Sequence, residues 1–214
     1  MKTKAHTVYK NKAGKRVPGV TTILNILDKP ALVYWAWNLG LEGENFARVR
    51  DEAAEIGSIT HDMIKDDITG QTSCYKDYSP PQMDIAQRCF DKYLVWKKDK
   101  CIEPILVEQY LVSEEHQYGG TLDLYCLING VKSLPDWKTS TGIYGINGCQ
   151  LSGYNQLLRE NGYLDDGEIE EFKIVRFGKE EGPAEEKEFK DIDKYFEAFK
   201  VMQNLYQIKK ELKL

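Results

Sequence analysis

Residues 119–139 read GGTLDLYCLINGVKSLPDWKT, two β-rich runs joined by an Asn-Gly dipeptide. Asn129-Gly130 is a strong signal for a two-residue hairpin turn, because both residues tolerate the positive φ angles that such turns need. With the turn at that place, Ile128 pairs with Val131, and the two runs become neighbouring antiparallel strands. The stretch therefore predicts a hairpin whose register can be counted residue by residue.

The predicted register brings three charged side chains together. Counting back from the turn places Asp123 directly opposite Asp136, and alternation on the strand puts Lys138 on the same face as Asp136. Two carboxylates at cross-strand distance repel each other unless a cation compensates them. Mg²⁺ suits such a pair, and Lys138 can orient an attacking water or offset charge developing on a phosphate. Glu108, on the preceding strand, adds a further oxygen, and the set predicts metal-assisted hydrolysis of a phosphodiester.

The rest of the chain predicts a mixed α/β architecture. Helical patterns cover residues 31–69, follow Pro80-Pro81 and return at 150–161 and 192–213, while strand patterns cover 105–112, 121–128, 131–137 and 168–175. Residues 179–188 are expected to form an acidic loop. We therefore expect one α/β (α+β) domain over residues 1–214, with helices packed against a mixed sheet and a C-terminal helix at 192–213.

Composition and charge exclude several classes of protein. With 42% hydrophobic and 29% charged residues the chain is not disordered, and its apolar runs are far shorter than the ~20 residues of a membrane-spanning helix. The net charge of −5 divides unevenly, since residues 1–16 carry six basic and no acidic side chains. This basic arm is either a solvated tail or a phosphate-contacting segment, in which case Lys15 and Arg16 bind substrate.

The cysteines and the N-terminus favour a reduced, cytoplasmic protein. Five widely spaced cysteines without a Cys-x-x-Cys pair argue against disulfides, structural zinc and an iron–sulfur cluster. No apolar stretch follows the basic N-terminal residues, so no secretory signal is expected. The expected location is the cytoplasm, which for a phage protein is that of the bacterial host.

Five short motifs follow one another along residues 18–154: Pro18 to Leu24, Gly57 to His61, Gly120 to Asp123, Asp136 to Thr139 and Gln150 to Tyr154. In this order they resemble the PD-(D/E)XK nuclease superfamily, and more specifically its RecB-like exonuclease branch. That branch includes phage-encoded nucleases, CRISPR-associated nucleases and the mitochondrial genome maintenance exonuclease. Two departures are that Gly19 replaces the usual small hydroxyl residue and that the cluster-binding cysteines of some members are missing.

The resemblance implies a restriction-endonuclease-like core and a DNA nuclease that uses Mg²⁺ or Mn²⁺, with exonuclease action favoured. It implies metal ligation by His61, Asp123, Asp136 and the backbone carbonyl of Trp137, with Lys138 as the catalytic lysine. Gln150 and Tyr154 would then place the substrate strand or support the site. Phage or bacterial DNA undergoing recombination, repair or processing would be the substrate, and recombination or replication proteins would be the partners.

Structural alternatives accompany these assignments. His61, Gln150 and Tyr154 lie on helices that face a sheet, where such side chains are often plain core residues. An aromatic group at Tyr34, Trp35, Trp37 and Phe46 is expected to be core, although aromatic rings also stack on single-stranded bases. For function, the alternatives are a non-catalytic module that binds DNA or a partner protein, and a metal-dependent hydrolase of small phosphoesters. Oligomeric state is not readable from the sequence.

Overall fold

The computed structural model describes residues 7–165 and 167–214, so Lys2 and Lys4 of the predicted basic arm lie outside the described residues. Within these ranges a five-stranded mixed sheet is flanked by helices, which confirms the predicted fold class. The strands are β1 (Tyr9–Lys10), β2 (Arg16–Val17), β3 (Ile102–Ser113), β4 (Tyr118–Ile128), β5 (Val131–Lys138), β6 (Glu171–Arg176) and β7 (Glu185–Glu188); the helices are α1 (Val20–Leu24), α2 (Pro30–Leu41), α3 (Phe46–Thr69), α4 (Pro80–Lys97), α5 (Ile146–Glu160) and α6 (Ile192–Leu212).

The large sheet has the order β3-β4-β5-β6-β7, and β5 and β6 are its parallel pair. The crossover between them contains α5, as parallel neighbours require a long connection. On one face of the sheet α1, α5 and α6 pack around a core that includes Leu151 and Phe199. On the other face α3 and α4 pack around Tyr93 and Trp137. The sheet is therefore covered on both sides.

The predicted hairpin turn is confirmed. Asn129 and Gly130 have φ angles of 54° and 84°, the left-handed values that a tight turn of this kind needs. Ile128 pairs with Val131, as the sequence predicts. The register of the first three pairs of the hairpin is thus set by a local turn signal.

The prediction that Asp123 faces Asp136 within the ladder is wrong. The β4–β5 ladder ends at the pair Cys126–Ser133. Beyond that point the backbone N–H of Trp137 donates to the Asp123 carboxylate at 2.8 Å. A side chain thus replaces the β4 backbone as the hydrogen-bond partner, because the two strands separate before they reach the acids.

The helical pattern over residues 31–69 is divided into two helices, α2 and α3. Gly43 takes a left-handed φ of 75° between them, and the Asn45 side chain caps α3 by accepting from the Arg48 backbone N–H at 3.0 Å. Gly70, with a φ of 68°, ends α3 as the sequence predicts.

The predicted acidic loop at 179–188 contains a strand. Residues Glu185–Glu188 form β7, which pairs antiparallel with β6 although all four side chains are exposed. Backbone hydrogen bonds to β6 hold this strand at the edge of the sheet. Its side chains show no alternation of apolar and polar residues, so the sequence pattern does not predict a strand here.

All five cysteines are free.

The expectation that Tyr34, Trp35, Trp37 and Phe46 are core residues is wrong for two of them. Tyr34 is 73% exposed and Trp37 is 67% exposed, while Trp35 makes an edge contact with Phe46 at 5.1 Å between ring centroids. In α2, Leu39 is the buried residue. Among the helices of the described ranges, none has the length and apolar character needed to cross a membrane.

Candidate metal and catalytic site

Asp136 lies at the centre of a buried polar network. β5 places Asp136 and Lys138 on one face, and the Lys138 ammonium pairs with Asp136 Oδ2. The Gln150 side chain donates from Nε2 to Asp136 Oδ1 at 2.9 Å, so both carboxylate oxygens have partners. Asp136 is only 2% exposed, and this burial raises its pKa to about 6 despite the nearby Lys138. The metal-free protein therefore binds a proton at Asp136 more readily than an ordinary carboxylate does.

The close approach of α5 explains how Gln150 reaches the strand. Gly120 faces α5, and a Cβ atom there would lie 2.7 Å from the Tyr154 ring. Gln150 Nε2 also donates to the Tyr154 hydroxyl at 3.0 Å, and both residues are buried. The glycine thus allows the helix to pack against β4 with its polar side chains aimed at Asp136.

A second group of ligands converges from three elements. His61 from α3, Glu108 from β3 and Asp123 from β4 each offer one ligand atom, and these atoms all lie within 4.8 Å of one another. His61 Nδ1 is 3.5 Å from Asp123 Oδ1. One imidazole and two carboxylates form a donor set that suits Mn²⁺ and other divalent cations. The residues present therefore fit a divalent metal ion.

The charges of this group are interdependent. Burial lowers the pKa of His61, but the Asp123 carboxylate more than offsets this, and the pKa rises to about 9. Burial raises the pKa of Asp123, yet the adjacent imidazolium holds it below its ordinary value. In the absence of metal, His61 is thus the cation that compensates Asp123 near neutral pH.

Glu108 adopts an unusual backbone conformation in the middle of β3. Its φ of 49° lies in the left-handed region, which costs a non-glycine residue roughly 1–3 kcal/mol. Val107 pairs with Leu124 and Gln109 pairs with Leu122, so Glu108 lies opposite Asp123. The packing of β4 changes at the same point. Leu122 belongs to the core beneath α5 and Leu124 to the core beneath α3, so the normal side-chain alternation reverses across Asp123.

We expect Glu108→Gly to be more stable than Glu108→Ala by about 1 kcal/mol, because both remove the carboxylate but only glycine adopts this φ without strain. The free energy of unfolding, measured in urea for the two variants, checks this. Equal stabilities, or a more stable alanine variant, would show that the left-handed conformation carries no strain in solution.

The structure brings most of the predicted site residues together. His61 and Asp123 come together with Glu108; Asp136 lies beside them, paired with Lys138, and the charge of Asp123 adds to the rise in its pKa. Trp137 donates its backbone N–H to Asp123 and buries its ring in the α3–α4 core.

Lys15 and Arg16 lie elsewhere, in a cleft whose lining includes none of the predicted metal ligands.

Sequence reasoning missed Arg176. It is the registered partner of Lys138 in the parallel β5–β6 pair and is only 4% exposed. Its guanidinium pairs with Glu180 and Glu185 and donates to the Thr141 carbonyl at 3.2 Å. The sequence pattern predicts a strand at 168–175, whereas β6 extends to Arg176. The position of Arg176 directly after the predicted strand is the only feature of the sequence that points to it.

Comparison with models of known protein families finds no match, and a search of curated proteins finds no similar sequence. The assignment of function therefore depends on the residues and their geometry.

Proposed function

We propose that the protein is a metal-dependent DNA nuclease of the PD-(D/E)XK type. The observation that carries the proposal is the convergence of His61, Glu108 and Asp123 beside the Asp136–Lys138 pair. A packed structural core has no need to gather three acids, a histidine and a lysine around one point, since burying such groups is costly. The resemblance of the sequence motifs adds the phosphodiester chemistry and favours an exonuclease.

Each side chain has a distinct role in this proposal. His61, Glu108 and Asp123 would hold the cation, with Asp136 beside them as a further carboxylate. A divalent cation at this place lowers the pKa of water and neutralises charge on a phosphate. Lys138 orients the attacking water or stabilises charge that develops on the scissile phosphate. Gln150 holds the Asp136 carboxylate in position by donating to it, and Tyr154 supports Gln150 by accepting from the same amide nitrogen.

The topology of the N-terminal helices supports a nucleic-acid substrate. α1 packs in the α5 layer, whereas α3 packs in the opposite layer, so the segment that contains α2 passes from one face of the sheet to the other. Gly19 bridges to Gly119 near the start of β4, and Lys179, just beyond β6, donates to the Ala53 carbonyl of α3 at 2.8 Å. Both contacts lie at the end of the sheet that carries Lys138. The segment that contains α2 exposes Tyr34 and Trp37, whose rings are suited to stacking on bases.

A substrate panel tests the proposal. Purified protein is incubated with circular duplex, linear duplex and single-stranded DNA, and with a chromogenic phosphodiester, in Mg²⁺ and in Mn²⁺. Degradation of linear but not circular DNA is the expected result for an exonuclease. Cleavage of the chromogenic compound alone would indicate a hydrolase of small phosphoesters. DNA binding without any cleavage would indicate a non-catalytic module, and either outcome would overturn the proposal.

Mn²⁺ binding is expected to strengthen with pH, by about tenfold per pH unit between pH 6.5 and 8.5. Metal ligation needs neutral His61, whose pKa of about 9 keeps it protonated over this range, so one proton must leave for each ion bound. Asp136, with a pKa of about 6, is mostly ionised over the same range. Titration calorimetry at three pH values measures the trend.

Two histidine variants test whether His61 is the cause of the dependence of Mn²⁺ affinity on pH. His61→Asn should bind Mn²⁺ more weakly and with little dependence on pH. His116→Asn is the comparison variant, because His116, Glu115 and Glu160 form the other described group that could hold a metal ion, whereas the proposal assigns Mn²⁺ binding to the His61 group. It should behave like the unaltered protein. A pH-independent affinity in the unaltered protein would contradict ligation by His61.

A further inference from the structure

A cleft of about 530 Å³ opens between the N-terminal hairpin, the turn after β3 and helix α6. Among the described residues that line it, four carry a fixed positive charge and one, Glu211, a negative charge. The four cations are Lys15, Arg16, Lys200 and Lys210. This excess of positive charge stands out in a protein whose net charge is −5.

The four cations lack acidic partners within the described part of the chain, where none of them forms an ion pair. Some basic residues elsewhere are neutralised locally; Lys97 pairs with Asp67, and Lys173 pairs with two glutamates. Like charges gathered in a concave surface repel one another, and the concavity concentrates their field. An anion that binds there removes this repulsion, so the cleft is suited to an anionic ligand.

The polar lining is suited to phosphate oxygens. Asn204 and Gln207 of α6 line the cleft; Gln203 and Gln117 also line it, and their amide nitrogens donate to the His116 and Glu114 carbonyls. Amide side chains and lysines are the groups that contact nucleic-acid backbones without reading sequence. The combination indicates a ligand with several phosphate groups.

The position of the cleft relates it to the proposed nuclease site. His116 and Gln117 immediately precede Tyr118, which begins β4, and Asp123 follows five residues later on the same strand. At about 3.4 Å per residue this is a span of about 17 Å. Successive phosphates on one strand of duplex DNA advance about 3.4 Å along the helix axis, so a duplex that lies along β4 would cover this span in about five nucleotides.

We propose that this cleft binds the phosphate backbone of the DNA substrate about five nucleotides from the bond that is cut. The inference rests on the proposed function, which supplies the DNA. It assigns to α6, together with Lys15 and Arg16, a substrate-holding role apart from the chemistry at Asp123.

The double variant Lys200→Gln/Lys210→Gln tests the proposal. Binding of a labelled 20-base-pair duplex is measured by fluorescence anisotropy in EDTA, over a range of salt concentrations. Removing two phosphate contacts should lower the slope of log affinity against log salt by about 1.8, and lower the affinity at least tenfold at about 0.1 M salt.

Lys76→Gln/Lys98→Gln is the matched control, with the same change of charge at exposed lysines before and after α4. It should bind the duplex within about twofold of the unaltered protein, so a loss equal to that of the cleft variant would overturn the proposal. Cleavage of the chromogenic phosphodiester separates this proposal from the proposed function. The cleft variant should still cleave the chromogenic phosphodiester. If the cleft variant bound the duplex with full affinity, the proposal that the cleft binds DNA would be wrong, whatever the cleavage activity.

Discussion

Asp123→Asn is expected to lower metal-dependent cleavage of DNA by at least 10³-fold, which corresponds to about 4 kcal/mol of transition-state stabilisation. The amide oxygen can still accept the Trp137 N–H, so the backbone arrangement should persist. What is lost is the negative charge that faces His61 and that, in the proposed site, would bind the cation. Initial rates on linear DNA at saturating Mn²⁺ measure the effect, and circular dichroism checks that the fold is intact.

Asp67→Asn is the control for that variant. Asp67 is likewise a carboxylate with two protein partners, since it accepts from the Tyr93 hydroxyl and pairs with Lys97, but it lies outside the site. Cleavage by this variant should match that of the unaltered protein. If Asp123→Asn retained more than about a tenth of the activity, the assignment of Asp123 to the site would be wrong.

Trp137→Ala is expected to destabilise the protein by about 3–5 kcal/mol, a large part of the stability of an ordinary domain. The ring is 2% exposed, and its centroid lies 5.5 Å from that of Trp96 and 5.8 Å from that of Phe177. Removing it leaves a cavity among rigid aromatic rings that cannot all close around it. Because its neighbours in β5 are Asp136 and Lys138, the same cavity should loosen the site. Urea denaturation measures the change.

Trp37→Ala removes the same side chain from a different environment. With 67% of Trp37 exposed, its loss should cost less than about 0.5 kcal/mol. A similar loss of stability in the two variants would contradict the burial of Trp137 and the exposure of Trp37. The comparison therefore tests whether α2 lies on the surface in solution.

The sequence predicts those parts of the fold that are decided by the backbone preferences of a few neighbouring residues. Asn129-Gly130 specifies a turn through its backbone preferences, and that turn sets the register at Ile128 and Val131. Gly70 ends α3 for a similar reason. The candidate site residues can be selected from the sequence because their spacing matches a motif, although that spacing does not reveal the fold. These residues are His61, Asp123, Asp136 and Lys138.

The parts that the sequence does not predict depend on distant contacts. Glu108 takes a left-handed φ that no glutamate prefers, so its conformation is imposed by the surrounding strands. The edge strand β7 is held by the backbone of β6, and its side chains read as a solvated loop. Tyr34 and Trp37 are apolar enough to predict burial, but whether another element covers them is decided by the path of the whole chain.

The most direct test of the central claim is a time course of end-labelled linear DNA with the purified protein, in Mn²⁺ and in excess EDTA. We predict progressive loss of DNA in Mn²⁺, none in EDTA, and recovery when Mn²⁺ is restored. Equal cleavage with and without EDTA would contradict the claim that His61, Glu108 and Asp123 form the metal site of a nuclease, as would intact DNA under every metal condition.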